Sequence, residues 1–241
     1  MERNTVKLQG FEVDTFCFED AVKYIKEHSG NVVTINPEMI QYAKKNPEFK
    51  NLVKSANLVI PDGVGVEIGL KILGHKVKRI AGIEFAQELI AEYTKDSLPI
   101  ALVGAKPEVI EKAAENLKNS YPGINICYSH DGYFKDDEPV INDLVNSNPK
   151  LVLVALGSPK QEFFIEKLQK RIENAVFVGI GGSFDVWSGI VKRAPVIYQK
   201  LGLEWLYRTV KEPQRFKRIF PTLPLFVMNV IFEKFFGDKS C

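Results

Sequence analysis

The chain has few of the residues that build disulfide frameworks and metal sites. Its 241 residues include three cysteines, Cys17, Cys127 and Cys241, and three histidines, all widely scattered. Unpaired cysteines of this kind are typical of a reducing compartment and argue against a disulfide scaffold or a zinc site. The sequence also lacks an Asp-x-Asp motif. We therefore expect the protein to use no metal and no cofactor.

Long apolar runs are also missing. The last apolar segment, LFVMNVIFEKFF, is shorter than the ~20 residues that a membrane-spanning helix needs. The N-terminal MERNTVKLQGF lacks the apolar core of a secretory signal, so we expect a cytoplasmic protein. The formal net charge is +2 and no recognition module is evident, which argues against nucleic acid as a partner.

What the sequence does contain is a regular alternation of short apolar runs with segments of helical periodicity. Runs such as 32–35, 100–103, 151–156 and 175–180 have the composition of strands that are buried on both faces. Strands that alternate with helices of ten or more residues indicate βαβ units. We therefore predict an α/β domain over residues 1–195, with a doubly wound, mostly parallel, Rossmann-like sheet.

After about Pro195 the pattern changes to a helical C-terminal appendage, residues 196–241. Residues 196–210 have helical periodicity, and the Pro221-Thr222-Leu223-Pro224 run is expected to interrupt the helix that follows. Basic residues next to an apolar helix are typical of a segment that lies in the membrane interface. The alternative is a helix that packs on the core or on another subunit, which leaves a homo-oligomer open.

Ligands of doubly wound sheets bind outside the carboxyl ends of the strands, so polar residues there are the first candidates. Thr34 and Asn36 are two residues apart and can point the same way at a strand end. Their hydroxyl and amide suit sugar hydroxyls. Asn36 precedes Pro37, however, and equally suits the cap of the following helix.

Asp62 is the best candidate for a general base. It follows an apolar strand, between Pro61 and Gly63, where a carboxylate can be held in a cleft. Pro-Asp-Gly is also a common turn, in which the aspartate bonds its own backbone. The sequence leaves both roles open.

Several residues are candidates for binding phosphate. Arg79 precedes a helix and could contact a phosphate, or it could be a solvated charge beside Lys76 and Lys78. Gly104 and Gly157 each end a strand and open a helix, and helix N-termini can receive anions.

The segment after Gly157 fits a capping box. Ser158 would be the N-cap and Gln161 the third helical residue, which leaves Lys160 free to contact a ligand.

The glycines after the last strand predict a loop that a phosphate-bearing ligand can approach. Gly181 and Gly182 offer backbone without Cβ atoms. The spacing is a weak match to a dinucleotide fingerprint, because Phe184 occupies the sixth position. Asp185 could bond a ribose or base, or could fix the loop. Because the dinucleotide fingerprint is incomplete, a nicotinamide-dependent oxidoreductase is a poor alternative.

Five of the cations that follow this loop are candidates for binding phosphate. Lys192 and Arg193 could meet a diphosphate or be solvated charges. Arg208, Arg215 and Arg218 are spaced so that two or three could face one ligand, and guanidinium groups bind phosphate through two parallel hydrogen bonds. A solvated or lipid-facing run of charge is the alternative.

Six blocks of sequence resemble one known family. The runs GGSFDVWSGIVKRAP and GLEWLYRTVKEPQRFKR follow TINPEM, PDGVGV, RIAG and LGSPKQE in order, and together they extend over nearly the whole chain. They are similar to the motifs of the WecG/TagA/CpsF glycosyltransferases, and most of all to the TagA branch.

The resemblance implies a specific reaction. It is transfer of N-acetylmannosamine from UDP-N-acetylmannosamine to undecaprenyl-diphosphate-linked N-acetylglucosamine, a step of wall teichoic acid synthesis at the inner face of the cell membrane. It implies Asp62 as the catalytic residue and adds Gln161 to the ligand-binding candidates. A single displacement would invert the anomeric carbon, and without a metal the cations and helix N-termini would stabilise the leaving diphosphate. The alternatives are a different UDP-sugar, such as N-acetylmannosaminuronic acid or a hexose donor, or a membrane-docked nucleotide-binding module without catalysis.

Overall fold

The computed structural model describes residues 2–200, 202–211 and 216–237. The strands are β1 (Thr5–Leu8), β2 (Phe11–Asp14), β3 (Gly30–Ile35), β4 (Leu58–Pro61), β5 (Pro99–Gly104), β6 (Asn125–His130), β7 (Leu151–Ala155) and β8 (Val176–Gly179). The helices are α1 (Phe18–His28), α2 (Pro37–Ala43), α3 (Pro47–Lys54), α4 (Val64–Ile72), α5 (Gly82–Lys95), α6 (Pro107–Ser120), α7 (Glu138–Ser147), α8 (Lys160–Gln169), α9 (Ser183–Trp187), α10 (Val196–Lys200), α11 (Glu204–Lys211) and α12 (Phe216–Phe236).

Strands β3 to β8 form a six-stranded sheet in the order β4-β3-β8-β7-β5-β6. Every pairing in this sheet is parallel. Strands β1 and β2 form a separate antiparallel hairpin. The predicted doubly wound α/β fold is therefore confirmed.

The sheet separates two layers of helices because successive strand residues point to opposite faces. On β3, Val32 packs into the layer that contains α1, α5 and α6, whereas Val33 packs with α2, α3 and α4. Helices α7 and α8 cover the remainder of that second face. Both faces of the central strands are buried, which explains their continuous apolar sequences.

The periodicity predicted one helix over residues 196–210. The structure instead has two, α10 and α11. The chain turns at Gly202, whose φ is +69°. A Cβ at this position would lie 2.9 Å from Cβ of Val64, at the start of α4. Glycine therefore permits both the turn and the close approach of the appendage to the α/β domain.

The prediction that the Pro221–Pro224 run interrupts the helix is wrong. Helix α12 extends over 21 residues with both prolines inside it. Phe226 and Val230, which follow the prolines, are fully buried against the hairpin, α2 and α4. Tertiary packing of this kind can offset the backbone hydrogen bonds that the prolines remove.

Polar contacts also hold α12 against the domain. Both carboxylate oxygens of Glu233 accept the backbone N–H of Gln9 at 3.0 Å, and Nε2 of Gln9 donates to the carbonyl of Phe226 at 3.1 Å. Gln9 lies in the turn of the β1–β2 hairpin. The last described helix is therefore fixed to the first turn of the chain.

The opposite face of α12 is apolar and exposed. Its exposed large side chains are Phe220, Leu225, Met228, Ile231, Phe232, Phe235 and Phe236. Ile219–Phe236 is long and apolar enough to cross a bilayer, so the segment predicted to be too short is part of a longer apolar helix. Length and composition alone are weak evidence of a span, since core helices can meet the same criteria.

Candidate functional site

The candidate residues lie along the carboxyl edge of the parallel sheet. In the order of the strands, the edge presents Asp62 after β4, Thr34 near the end of β3, Gly181 after β8, Gly157 after β7 and Gly104 at the end of β5. Neighbouring strands are about 4.8 Å apart, so these positions form one row. The connection from β3 to β4 runs in the opposite direction from the one between β5 and β6. Such a reversal is where doubly wound sheets bind ligands.

Asp62 is held at the start of this row by backbone hydrogen bonds. Its own N–H donates to the carbonyl of Ile35 on β3 at 2.9 Å. Its carboxylate accepts hydrogen bonds from the backbone N–H groups of Gly63 and Gly82. The predicted turn role is therefore present in the bond from Gly63, but the second bond ties the carboxylate to a distant element, α5.

The electrostatic setting of Asp62 suits proton transfer near neutral pH. Burial raises the pKa of this carboxyl from 3.8 to about 6. The two backbone hydrogen bonds and the positive charge of Arg79 oppose that rise, whereas the negative charge of Glu204 adds to it. A carboxyl with such a pKa is mostly ionised at pH 7 and can still accept a proton.

Gly82 brings Asp62 and Thr34 together. A Cβ built on Gly82 would lie 3.1 Å from Cγ2 of Thr34 and 3.6 Å from Oδ2 of Asp62. Glycine at the first residue of α5 thus leaves room for both side chains. The N-cap residue, Ala81, has no side chain that could cap the helix, and the negative charge of the nearby Asp62 carboxylate is favourable at this N-terminus.

Asn36 caps α2, which confirms the capping role, one of the two roles predicted for it. Its Oδ1 accepts the N–H of Met39 at 3.0 Å. A contact between the remaining part of the amide and a sugar stays a prediction.

Arg79 and Arg193 contact protein groups, so the alternative of solvated charges is wrong for both. Nη2 of Arg79 donates to the carbonyl of Gln199 at 2.6 Å. Nη2 of Arg193 lies 2.6 Å from Oε1 of Glu84, and its Nε lies 3.9 Å from Oε2 of Glu204. These contacts tie α10 and α11 to α5, next to Asp62.

The glycines of the row differ in their surroundings. Gly157 and Gly181 have φ values of +73° and +52°, and a Cβ on either would meet no atom of the described structure within 4 Å. A ligand therefore has room to approach both. A Cβ on Gly104 would instead collide with the carbonyl oxygen of Ala155 on β7. Gly104 is thus required for strand packing, and anion binding there stays a prediction.

Asp185 lies beside the glycine loop. A Cβ on Gly182 would lie 3.4 Å from Oδ2 of Asp185. The residue belongs to the short helix α9, in a stretch predicted to be a loop. Its contact with a ribose or base stays a prediction.

The predicted capping box at Ser158 is wrong. Helix α8 begins at Lys160 with Pro159 as N-cap and has no side-chain cap. Because the helix begins later than predicted, Gln161 is its second residue, and its Oε1 accepts the N–H of Gly181 at 3.2 Å. Lys160 places its Nζ 5.0 Å from the ring centroid of Phe134.

For the other predicted cations, contact with a phosphate stays a prediction. Lys192 is exposed. Arg215 lies outside the described residues, and so do the side chains of Arg208 and Arg218. Within the described ranges no three His, Cys, Asp or Glu side chains are grouped as metal ligands would be. That the reaction needs no metal stays a prediction.

Sequence reasoning missed Gly82, Glu84 and Glu204. Gly82 had a detectable signal, because a helix that begins after Ala81 lacks the usual capping residue and so requires a partner from elsewhere. The two glutamates had no such signal in the sequence. Their role depends on Arg193, which is not a sequence neighbour of either.

Comparison with known proteins finds similarity over almost the full chain. A family model described as the glycosyl transferase WecG/TagA/CpsF family matches residues 6–240. A relative from Bacillus spizizenii is 38% identical over 222 residues, which are 91% of this chain and 86% of the relative. One from Bacillus subtilis is 38% identical over 213 residues, 88% of this chain and 83% of the relative. Both are named N-acetylglucosaminyldiphosphoundecaprenol N-acetyl-beta-D-mannosaminyltransferase.

Proposed function

Because this chain belongs to the WecG/TagA/CpsF family of glycosyltransferases, we propose that it transfers N-acetylmannosamine from UDP-N-acetylmannosamine to undecaprenyl-diphosphate-linked N-acetylglucosamine. The names of the two relatives supply the acceptor and the transferred sugar. The observation that carries the proposal is the Asp62 carboxyl, which is partly buried at the carboxyl end of the edge strand β4 and has a pKa of about 6.

In the proposed reaction Asp62 accepts the proton of an acceptor hydroxyl. The hydroxyl oxygen forms a bond to the anomeric carbon of the donor while the bond from that carbon to the UDP oxygen breaks. This single displacement inverts the anomeric carbon. Thr34, on the neighbouring strand, would hold a hydroxyl of the reacting sugars.

The UDP leaving group gains negative charge as its bond breaks, and no metal is invoked to stabilise it. The donor would lie along the strand ends toward Gly157 and Gly181, where the backbone is open. Arg79, Lys160 and Lys192 are candidates to contact the diphosphate, and so are Arg208, Arg215 and Arg218. Positioned cations of this kind stabilise developing charge in a site that excludes water.

A lipid-linked acceptor gives the exposed apolar face of α12 a role. That face would lie in the interface of the membrane that holds the acceptor, with the protein peripheral on its cytoplasmic side. Burial of Phe226 and Val230 keeps the opposite face of α12 on the α/β domain, which favours surface docking over a transmembrane helix.

The test is release of UDP from UDP-N-acetylmannosamine in the presence and absence of the lipid-linked acceptor. Wild type should release UDP only with acceptor, and Asp62→Asn should lower turnover by about 10²-fold or more, the lower range of effects for a general base. Asp143→Asn, on the exposed surface of α7, is the matched control. Full activity of Asp62→Asn would place the base elsewhere, and an inactive wild type would point to another UDP-sugar or to a module without catalysis.

A further inference from the structure

Glu162 is a buried carboxyl for which the proposed reaction has no use. It lies in the first turn of α8, beyond the carboxyl end of β7, and is 3% exposed. Burial raises the pKa of this carboxyl, and hydrogen bonds from Gln161 and Ser158 oppose that rise. Buried carboxyls are rare in proteins because they lose hydration. This one therefore requires an explanation in terms of the group that it holds.

The group that it holds is the side-chain amide of Gln161. Oε1 of Glu162 accepts a hydrogen bond from Nε2 of Gln161 at 2.8 Å. An oxygen of Glu162 that accepts this bond holds the NH₂ end of the amide toward the carboxyl. The oxygen end then faces Gly181 and accepts its N–H at 3.2 Å. In the reverse orientation the NH₂ group would meet the N–H of Gly181, and two donors would oppose each other.

The hydrogen bond to Gly181 fixes the loop that follows the central strand β8. Gly181 has a left-handed φ of +52° and faces open space at the edge of the sheet. A Cβ on Gly179 would collide with the Gln161 side chain, so that side chain fills the space above the end of β8. The buried pair of Glu162 and Gln161 thus forms the inner support of a loop whose outer surface is free.

We propose that Glu162 is a positioning residue: it sets the orientation of the Gln161 amide and thereby holds Gly181 in the conformation that forms the nucleotide-facing loop. The identity of the ligand as a uridine nucleotide rests on the proposed function. The chain of hydrogen bonds from Glu162 to Gly181 is independent of the proposed function.

The first measurement is amide hydrogen exchange at Gly181 in the full chain. Glu162→Ala should raise the exchange rate about ten-fold, which corresponds to the loss of about one hydrogen bond. Glu162→Gln should stay within about two-fold of wild type, because its amide oxygen can still accept from Gln161. Glu166→Gln, at an exposed position of the same helix, is the control. Unchanged exchange in Glu162→Ala would overturn the proposal.

Gln161→Met guards against a folding defect in the alanine variant, because methionine has a similar length and no amide. It should raise exchange at Gly181 as Glu162→Ala does. Protection of Gly181 that survives in Gln161→Met would overturn the proposal as well.

The second measurement is the dissociation constant of UDP by calorimetry. Glu162→Ala should weaken binding about ten-fold, whereas Glu162→Gln should bind like wild type. An equal loss in both variants would show that the charge of Glu162 acts directly, and the positioning role would be wrong. If wild type binds no UDP, the proposed donor is refuted, and exchange at Gly181 still decides the role of Glu162.

Discussion

Replacement of Asp62 by asparagine should stabilise the protein at neutral pH while it removes catalysis. Burial raises the pKa of Asp62 from 3.8 to about 6. Between those two values the folded state binds a proton that the unfolded state has lost, so the wild type loses stability as the pH rises through that window. A shift of about two pKa units corresponds to about 3 kcal/mol at pH 7. Asparagine does not titrate and avoids this cost.

Asp62→Asn also loses some stability at every pH, because its hydrogen bonding is poorer. Asparagine has one amide oxygen where Asp62 has two carboxylate oxygens for the N–H groups of Gly63 and Gly82. One poorer hydrogen bond costs about 1 kcal/mol. We therefore expect Asp62→Asn to be about 2 kcal/mol more stable than wild type at pH 7.5 and about 1 kcal/mol less stable near pH 4.

Urea unfolding followed by tryptophan fluorescence at several pH values between 4 and 8 tests this. The informative quantity is the change of about 3 kcal/mol in the difference between the two proteins, with Asp143→Asn as a variant that should show no such change. A difference between Asp62→Asn and wild type that is the same at pH 4.5 and pH 7.5 would refute the reasoning, since Asp62 would then have an ordinary pKa.

Three further predictions concern the same edge of the sheet. The acid limb of kcat/KM against pH should have an apparent pKa of about 6, because Asp62 must be ionised to accept a proton, and a limb near pH 4 would contradict this. Arg79→Gln should move that limb to higher pH, because the charge of Arg79 lowers the pKa of Asp62, whereas Arg79→Lys should move it less; an unmoved limb in Arg79→Gln would argue against the pairing. Gly104→Ala should cost several kcal/mol in urea unfolding, because its methyl group meets the carbonyl of Ala155, whereas Gly157→Ala has open space and should cost about 1 kcal/mol; equal costs would contradict the difference in packing.

The sheet was predictable because its strands carry the information locally. The run 151–155 is apolar at every position, since both faces of β7 are buried, and a glycine follows shortly after it. The same holds for β3, where Asn36 and Pro37 mark the start of the next helix. Signals of this type depend only on neighbouring residues.

The site was only partly predictable, because its key contacts depend on the order of the strands. Asp62 was identifiable as a polar residue at a strand end. Its pairing with Gly82 requires that α5 begins beside β4, which no local pattern states. The ion pairs of Arg193 similarly join residues that are remote in sequence.

Helix α12 shows a different limit. Local rules end a helix at Pro221 or Pro224, and here both lie within one. The energy that holds the helix comes from Phe226 and Val230 in a core whose other members lie in the hairpin, α2 and α4. Local propensity is weaker than packing of that extent.

The contact between Gln9 and Glu233 has a consequence for the order of events during synthesis. The two residues are 224 positions apart, so the ribosome adds Glu233 long after the hairpin and most of the sheet have left it. Closing so long a loop is slow compared with local helix formation. The α/β domain can therefore begin to fold while the nascent chain still lacks α12. The face of α12 that carries Phe226 and Val230 can then dock on a domain that has already begun to fold, which shortens the time for which these two side chains are exposed.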